Sequence, residues 1–142
     1  LAVIEKTTES PILLDAGVWI ATYDVDDPNY EPSLELILDE DVVPAALDLT
    51  LYEIANGVLK RWGSSDAATE LCVSAASRCS ENFVSVNAGL IEATVEIALE
   101  YGLTSYDAAY VAVARRHDWQ LVSTDIKDLV SQGLAITPDA AV

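Results

Sequence analysis

A chain of 142 residues has the length of one domain, and with 51% hydrophobic residues it can bury a substantial core, which excludes disorder as its main state. Twenty-four Asp and Glu stand against seven Lys and Arg and one His, a formal net charge of -17 spread from Glu5 to Asp139 rather than gathered in a tail. The apolar runs are short and the first ten residues carry two Glu, so neither a membrane span nor a secretory leader is expected, and the chain reads as a soluble, cytoplasmic protein.

In chain order, Pro11-Ile12-Leu13-Leu14 predicts a strand, Asp15 an acidic turn, and Val18, Trp19, Ile20 and Tyr23 a helix. Residues 24–32 form a polar loop with two prolines. Ser33 is expected to cap a short helix through Leu34, Ile37 and Leu38, in a unit that Pro44 ends. A second strand falls at residues 46–49. From Thr50 a helix presents Leu51, Ile54, Ala55, Val58 and Leu59 inward, with Lys60 and Arg61 in its last turn, where cations suit the helix dipole. A break at Gly63-Ser64-Ser65 opens a helix holding Leu71, Cys72 and Ala75.

Residues 83–86 alternate as a third strand, and Asn87 caps a helix through Leu90, Ile91, Val95, Ile97 and Leu99 that stops at Gly102. Thr104 opens another, through Ala108, Val111, Ala112 and Ala114 to His117. Residues 120–123 make a fourth strand, 125–130 a turn or short helix, and 134–136 a fifth strand. This alternation predicts one α/β domain over residues 1–142, with a mainly parallel sheet of about five strands covered by helices on both faces. Cys72 and Cys79 lie two helical turns apart, about 10 Å, too far for a disulfide, and read as small buried hydrophobes.

In a parallel sheet the ligand crevice lies beyond the carboxyl ends of the strands. Asp15 follows the first strand and Asp125 the fourth; Glu53 opens the helix after the second strand. Asp107 opens the helix that runs back to feed the fourth, so four acids share one edge. Each alone reads as a helix cap or turn residue: Thr50-Leu-Tyr-Glu53 and Thr104-Ser-Tyr-Asp107 both have capping-box spacing. Together, beside strongly apolar elements, they need a partner, and a divalent cation is one.

The segments ILLDAGVWIA (12–21), LTLYEIANGVLKR (49–61) and LTSYDAAYVAVARRHDWQLVSTD (103–125), with the acid order Asp, Glu, Asp, Asp, resemble PIN-domain ribonucleases of the VapC toxin kind over nearly the whole chain. The resemblance implies a PIN-like three-layer fold and a metal-dependent endoribonuclease. In it Asp15, Glu53, Asp107 and Asp125 hold Mg²⁺ or Mn²⁺, with Asp15 central and Glu53 as ligand or base orienting the attacking water. It also implies an RNA substrate, a homodimer and a cognate antitoxin. Family members often place Thr or Ser, then Ser or Asn, after the first Asp; here Ala16 and Gly17 stand there, which predicts altered water positioning rather than loss of the site.

Metal ions can activate water and neutralise a phosphate without a histidine, which leaves His117 as a helix-end residue. Ser123 and Thr124 can hydrogen-bond the acids or the phosphate, and Asn56 can orient Glu53. Lys60, Arg61, Arg115, Arg116 and Lys127 are the candidate cations for RNA, with surface salt bridges as their ordinary use. Trp19, Tyr23 and Tyr52 either stack on bases or belong to the core or a dimer interface.

The acidic surface would repel RNA in ordinary buffer. With only three Lys and an Ala- and Val-rich core, the composition is similar to proteins of halophilic archaea. In molar salt the screening length of about 3 Å removes that repulsion. Two alternatives remain: a non-catalytic PIN-like module binding nucleic acid or protein, and a phosphoacceptor receiver-type domain. The latter lacks an acidic pair at Asp15, an Asp after the third strand and a late Lys.

Overall fold

A computed structural model describes residues 10–142; the leader expectation falls on residues outside these. Four parallel strands, β1 (Ile12–Leu14), β2 (Pro44–Leu47), β3 (Phe83–Val84) and β4 (Gln120–Val122), lie in the order β3-β2-β1-β4. Leu13 pairs with Ala45 and Leu121, Leu14 with Val122, and Leu47 with Val84. Chain order reverses between β1 and β4, which makes the carboxyl ends of these two strands the switch point where an open α/β sheet forms its crevice.

Strand alternation sends side chains to two cores. Leu13, Ala45, Leu47 and Leu121 pack with α5 (Ala88–Tyr101) and α6 (Ser105–His117). Leu14, Ala46 and Val122 pack on the other face with α1 (Ala16–Ala21), α2 (Tyr30–Leu38), α3 (Asp48–Trp62) and α4 (Ser65–Arg78). Each fully buried Leu contributes about 1.5–3 kcal/mol. Helix boundaries follow local chemistry: Asp15, Ser64, Asn87 and Thr104 accept from backbone N–H groups of the helices they open. Gly63 and Gly102 end α3 and α5 in left-handed conformations, with φ of 62° and 67°.

The predicted architecture holds, with four strands in place of five. Residues 134–136 form a single parallel bridge, Val122 to Ile136, because the chain then turns at Pro138 into the short α7 (Pro138–Ala141). Pro44 starts β2 instead of ending a helical unit; the first position of a strand tolerates its missing N–H. β2 accordingly ends at Leu47, and α3 begins at Asp48, two residues ahead of Thr50. β3 spans two residues rather than four.

Helix α2 begins at Tyr30, with Pro32 in its first turn, where N–H groups lack helical partners anyway. Ser33 is therefore not a cap but a buried helical residue, its hydroxyl without a partner among the described residues. Cys79 is buried, which pushes its thiol up to about 12, and Cys72 is half-buried; both are free. Among the described residues no helix is long and apolar enough to cross a membrane.

Candidate metal centre

The acids at the carboxyl edge divide into an inner pair and an outer triad. Asp15 is buried at the start of α1: Oδ1 accepts from Val18 N at 3.2 Å and Oδ2 accepts from the Ser123 hydroxyl. Burial pushes its carboxyl up to about 7 against the two hydrogen bonds, and the nearby Glu53 and Asp107 charges push the same way. Ser123 is buried as well and accepts from Asp125 N at 2.9 Å, so one hydroxyl ties the end of β1 to the turn after β4.

Glu53 is not a cap. Because α3 starts at Asp48, the residue that caps it is Thr50, whose Oγ1 accepts from Leu47 N at 3.2 Å, and Glu53 lies further along the helix. Its Oε1 accepts from the Tyr110 hydroxyl at 2.7 Å, and that hydroxyl lies 3.1 Å from Thr50 Oγ1. A phenol has one proton and a carboxylate can only accept, so the chain runs from the Leu47 amide through Thr50 and Tyr110 to Glu53. Burial raises the Glu53 carboxyl, Tyr110 pulls it down and Asp107 raises it again. Tyr110, deep in the core beside Glu53, is held neutral well above its ordinary range.

The outer triad is Asp107, Asp125 and Asp128, which each bring one carboxylate oxygen to within 4.8 Å of the others. Thr104 caps α6 by accepting from Asp107 N at 3.2 Å, so the capping reading of this segment is correct for the backbone. The Asp107 carboxyl is raised by burial and then by Asp125 and Asp128, and lowered by the Thr104 hydroxyl. Asp125 opens a single π-helical turn (Ile126–Val130), with Oδ1 accepting from Asp128 N at 2.9 Å. Capping and clustering are thus compatible: the cap uses one oxygen of Asp125 and fixes the carboxylate's direction.

All four predicted acids come to one edge, and Asp107 and Asp125 join closely. Asp15 and Glu53 stand outside the tight triad, within electrostatic reach of it. Asp128 and Tyr110 are additions. The Asp125-x-x-Asp128 spacing is itself a cap signature, and Tyr110 is the lone large polar side chain in the small-residue run of α6.

No described Lys or Arg pairs with these acids; the described ion pairs are those of Arg61 with Asp24 (3.3 Å) and Asp27 (3.7 Å). Oxygen ligands at about 2.0–2.6 Å from a hard cation stand no more than about 5 Å apart, and the triad, an all-carboxylate set, has that spacing. The residues fit a divalent cation.

Around the centre, Tyr52 and Tyr106 are exposed and line a depression of about 400 Å³ with Leu49, Glu53 and Asn56. Trp19 is core, whereas Tyr23 is partly exposed. Asn56 is exposed and makes no hydrogen bond to Glu53. Lys127 is exposed in the same π turn as Asp125 and Asp128. His117 closes α6 and stacks on Trp119 at 4.3 Å, as a helix-end residue does.

No curated protein sequence matches the chain. Among solved structures it is similar to PAE2754 from Pyrobaculum aerophilum, with 27% identity and a TM-score of 0.68 over 93% of this chain and 86% of that one. It is also similar to VapC20 of Mycobacterium tuberculosis, a sarcin-ricin loop cleaving toxin, with 24% identity and a TM-score of 0.68 over 86% and 94%. A toxin-antitoxin complex from Klebsiella pneumoniae matches with 20% identity and a TM-score of 0.67 over 89% and 97%. These likenesses rest on the shared fold. The model of the PIN domain family matches residues 12–129, most of the chain, and the protein belongs to that family.

Proposed function

We propose that the protein is a Mg²⁺- or Mn²⁺-dependent endoribonuclease, the toxin of a toxin-antitoxin pair. One observation carries this reading: five carboxylates gather at the β1/β4 switch point with no described cationic side chain to neutralise them. Asp107, Asp125 and Asp128 would hold the cation, with Asp15 behind them. When bound, the cation supplies neutralisation of the phosphate charge and lowers the pKa of water. Glu53, held in place by Tyr110 and raised by burial, orients the attacking water and takes its proton. Tyr52 and Tyr106 offer faces on which RNA bases stack.

The likeness to toxin-antitoxin structures supports an antitoxin partner, and homodimerisation belongs to the same reading. PIN-family membership leaves the receiver-type alternative without support. The -17 charge is read as adaptation to high salt, as in halophilic archaea, which makes an RNA substrate compatible with the surface.

The decisive experiment is RNA cleavage with Mn²⁺ in molar KCl. Glu53→Gln and Asp107→Asn are expected to cut turnover by at least about a hundredfold, with metal-free melting unchanged or raised. Activity that survives both substitutions would sink the assignment and favour a binding module. Melting temperature is expected to rise steadily with KCl as self-repulsion is screened; equal melting at low and molar salt would remove the salt-adaptation argument.

A further inference from the structure

The residue after the Asp15-Ala16 pair, Gly17 in α1, packs against the turn that follows β4. A Cβ built on Gly17 would overlap Thr124 Oγ1, with Thr124 Cβ at 3.4 Å and Asp15 Oδ1 at 3.3 Å from the same point. The overlap involves the hydroxyl oxygen and not the Thr124 backbone, so the space that a side chain at 17 would fill is occupied by a hydroxyl reaching across from the end of β4. That hydroxyl takes part in none of the described side-chain hydrogen bonds at this edge, and Thr124 is half-buried rather than sealed in the core. By contrast, the neighbouring Ser123 hydroxyl is fully used, donating to Asp15 and accepting from Asp125.

An unused donor beside a buried carboxylate, at the edge where five acids gather, suits a ligand that brings its own acceptor. The phosphodiester group of RNA has two such oxygens. We propose that Thr124 is a substrate-positioning residue, donating its hydroxyl to a nonbridging phosphate oxygen beside Asp15, and that Gly17 is glycine because it leaves room for that hydroxyl. This rests on the nuclease reading for its ligand and on the packing of Gly17 against Thr124 for its geometry.

A threonine rotamer change can relieve the overlap in Gly17→Ala, but only by swinging the oxygen away from its place. Gly17→Ala should therefore act as if Thr124 had lost its hydroxyl. A hydrogen bond to a charged oxygen corresponds to about ten- to a hundredfold in binding or rate. In RNA cleavage with Mn²⁺, Thr124→Val is expected to lose about tenfold in kcat/KM, with metal-free melting within about 3 °C of the wild type. Thr124→Ser should recover to within about threefold. Gly17→Ala should lose a similar factor, and the double variant Gly17→Ala with Thr124→Val should lose no more than either alone.

Full activity in Thr124→Val, failure of Thr124→Ser to recover, or multiplicative losses in the double variant would overturn the proposal. Binding of a single-stranded oligoribonucleotide, read by fluorescence anisotropy with Mn²⁺ in the Glu53→Gln background, separates the two levels of the argument. If the wild type cleaves no RNA the nuclease reading fails, and the hydroxyl is then judged by Kd. A Kd weakened about tenfold by Thr124→Val supports it, and an unchanged Kd overturns it.

Discussion

The inner pair and the outer triad are built on opposite principles. Asp15 and Glu53 each accept a hydroxyl hydrogen bond, from Ser123 and Tyr110, and each hydroxyl is itself anchored to a backbone amide, directly through Asp125 N or by way of Thr50 to Leu47 N. Asp107, Asp125 and Asp128 sit at a helix start and around a π turn, where the Asp125 carboxylate accepts from the Asp128 amide and the Thr104 hydroxyl lowers Asp107, and they converge on one another. Fixed partners give the inner carboxylates position at a cost in burial. The outer ones repel one another, so on the proposed reading preorganisation falls to one set of acids and affinity for a cation to the other.

The most forceful way to break this contrast is Asp15→Asn without metal. The folded chain keeps a proton on Asp15 up to about pH 7, whereas the ordinary value is 3.8. The native state therefore binds more protons in that window, and metal-free stability falls as pH rises from about 4 to about 7, then levels. Asn removes the titration and should raise stability at pH 8 by on the order of 2–4 kcal/mol, with a flatter pH profile in urea melts. An unchanged profile would mean that the inner carboxylate carries no burial cost.

Asp128→Asn tests the outer set. It should leave metal-free melting almost unchanged and weaken Mn²⁺ about tenfold in titration calorimetry, equivalent to about 1.4 kcal/mol. Equal Mn²⁺ affinity would move the cation inward, to Asp15. Tyr110→Phe carries the smallest expected effect: about 1 kcal/mol less stability in thermal melts and a fall in kcat of about tenfold or less, because Glu53 keeps its charge but loses the donor that holds it. A loss of affinity for Mn²⁺ in this variant would place Glu53 with the triad instead.

The elements that could be read from the sequence are those where one local signal fixes the answer. Asp15 after an apolar strand, Asn87 and Thr104 before periodic helices, and Gly102 after one all stand where expected. Where two local signals compete, the tertiary structure chooses. Thr50-x-x-Glu53 has cap spacing, but β2 ends early and shifts Thr50 into the first turn, freeing Glu53 to meet Tyr110 from a helix on the opposite face of the sheet. That contact, 57 residues apart along the chain, leaves no pattern in a window of any useful width. Asp128 was legible by spacing, yet spacing alone does not say that the turn carrying it faces α6. The excess strand at 134–136 has a sound β composition and fails because only one residue of it, Ile136, bridges the sheet.

The three residues of β1 tie the centre to both cores. Leu13 serves one face and Leu14 the other, and the next residue is Asp15, whose amide continues the ladder onto Val122 O at 3.1 Å. An insertion or deletion of one residue here would exchange the two faces and, in the same stroke, carry the carboxylate away from Ser123. There is no spare length in the strand to absorb it. Evolution can lengthen or shorten the exposed segment around Asp26 with little consequence, but in β1 the length of the chain is locked jointly by folding and by the chemistry at its end, so that neither can drift without the other.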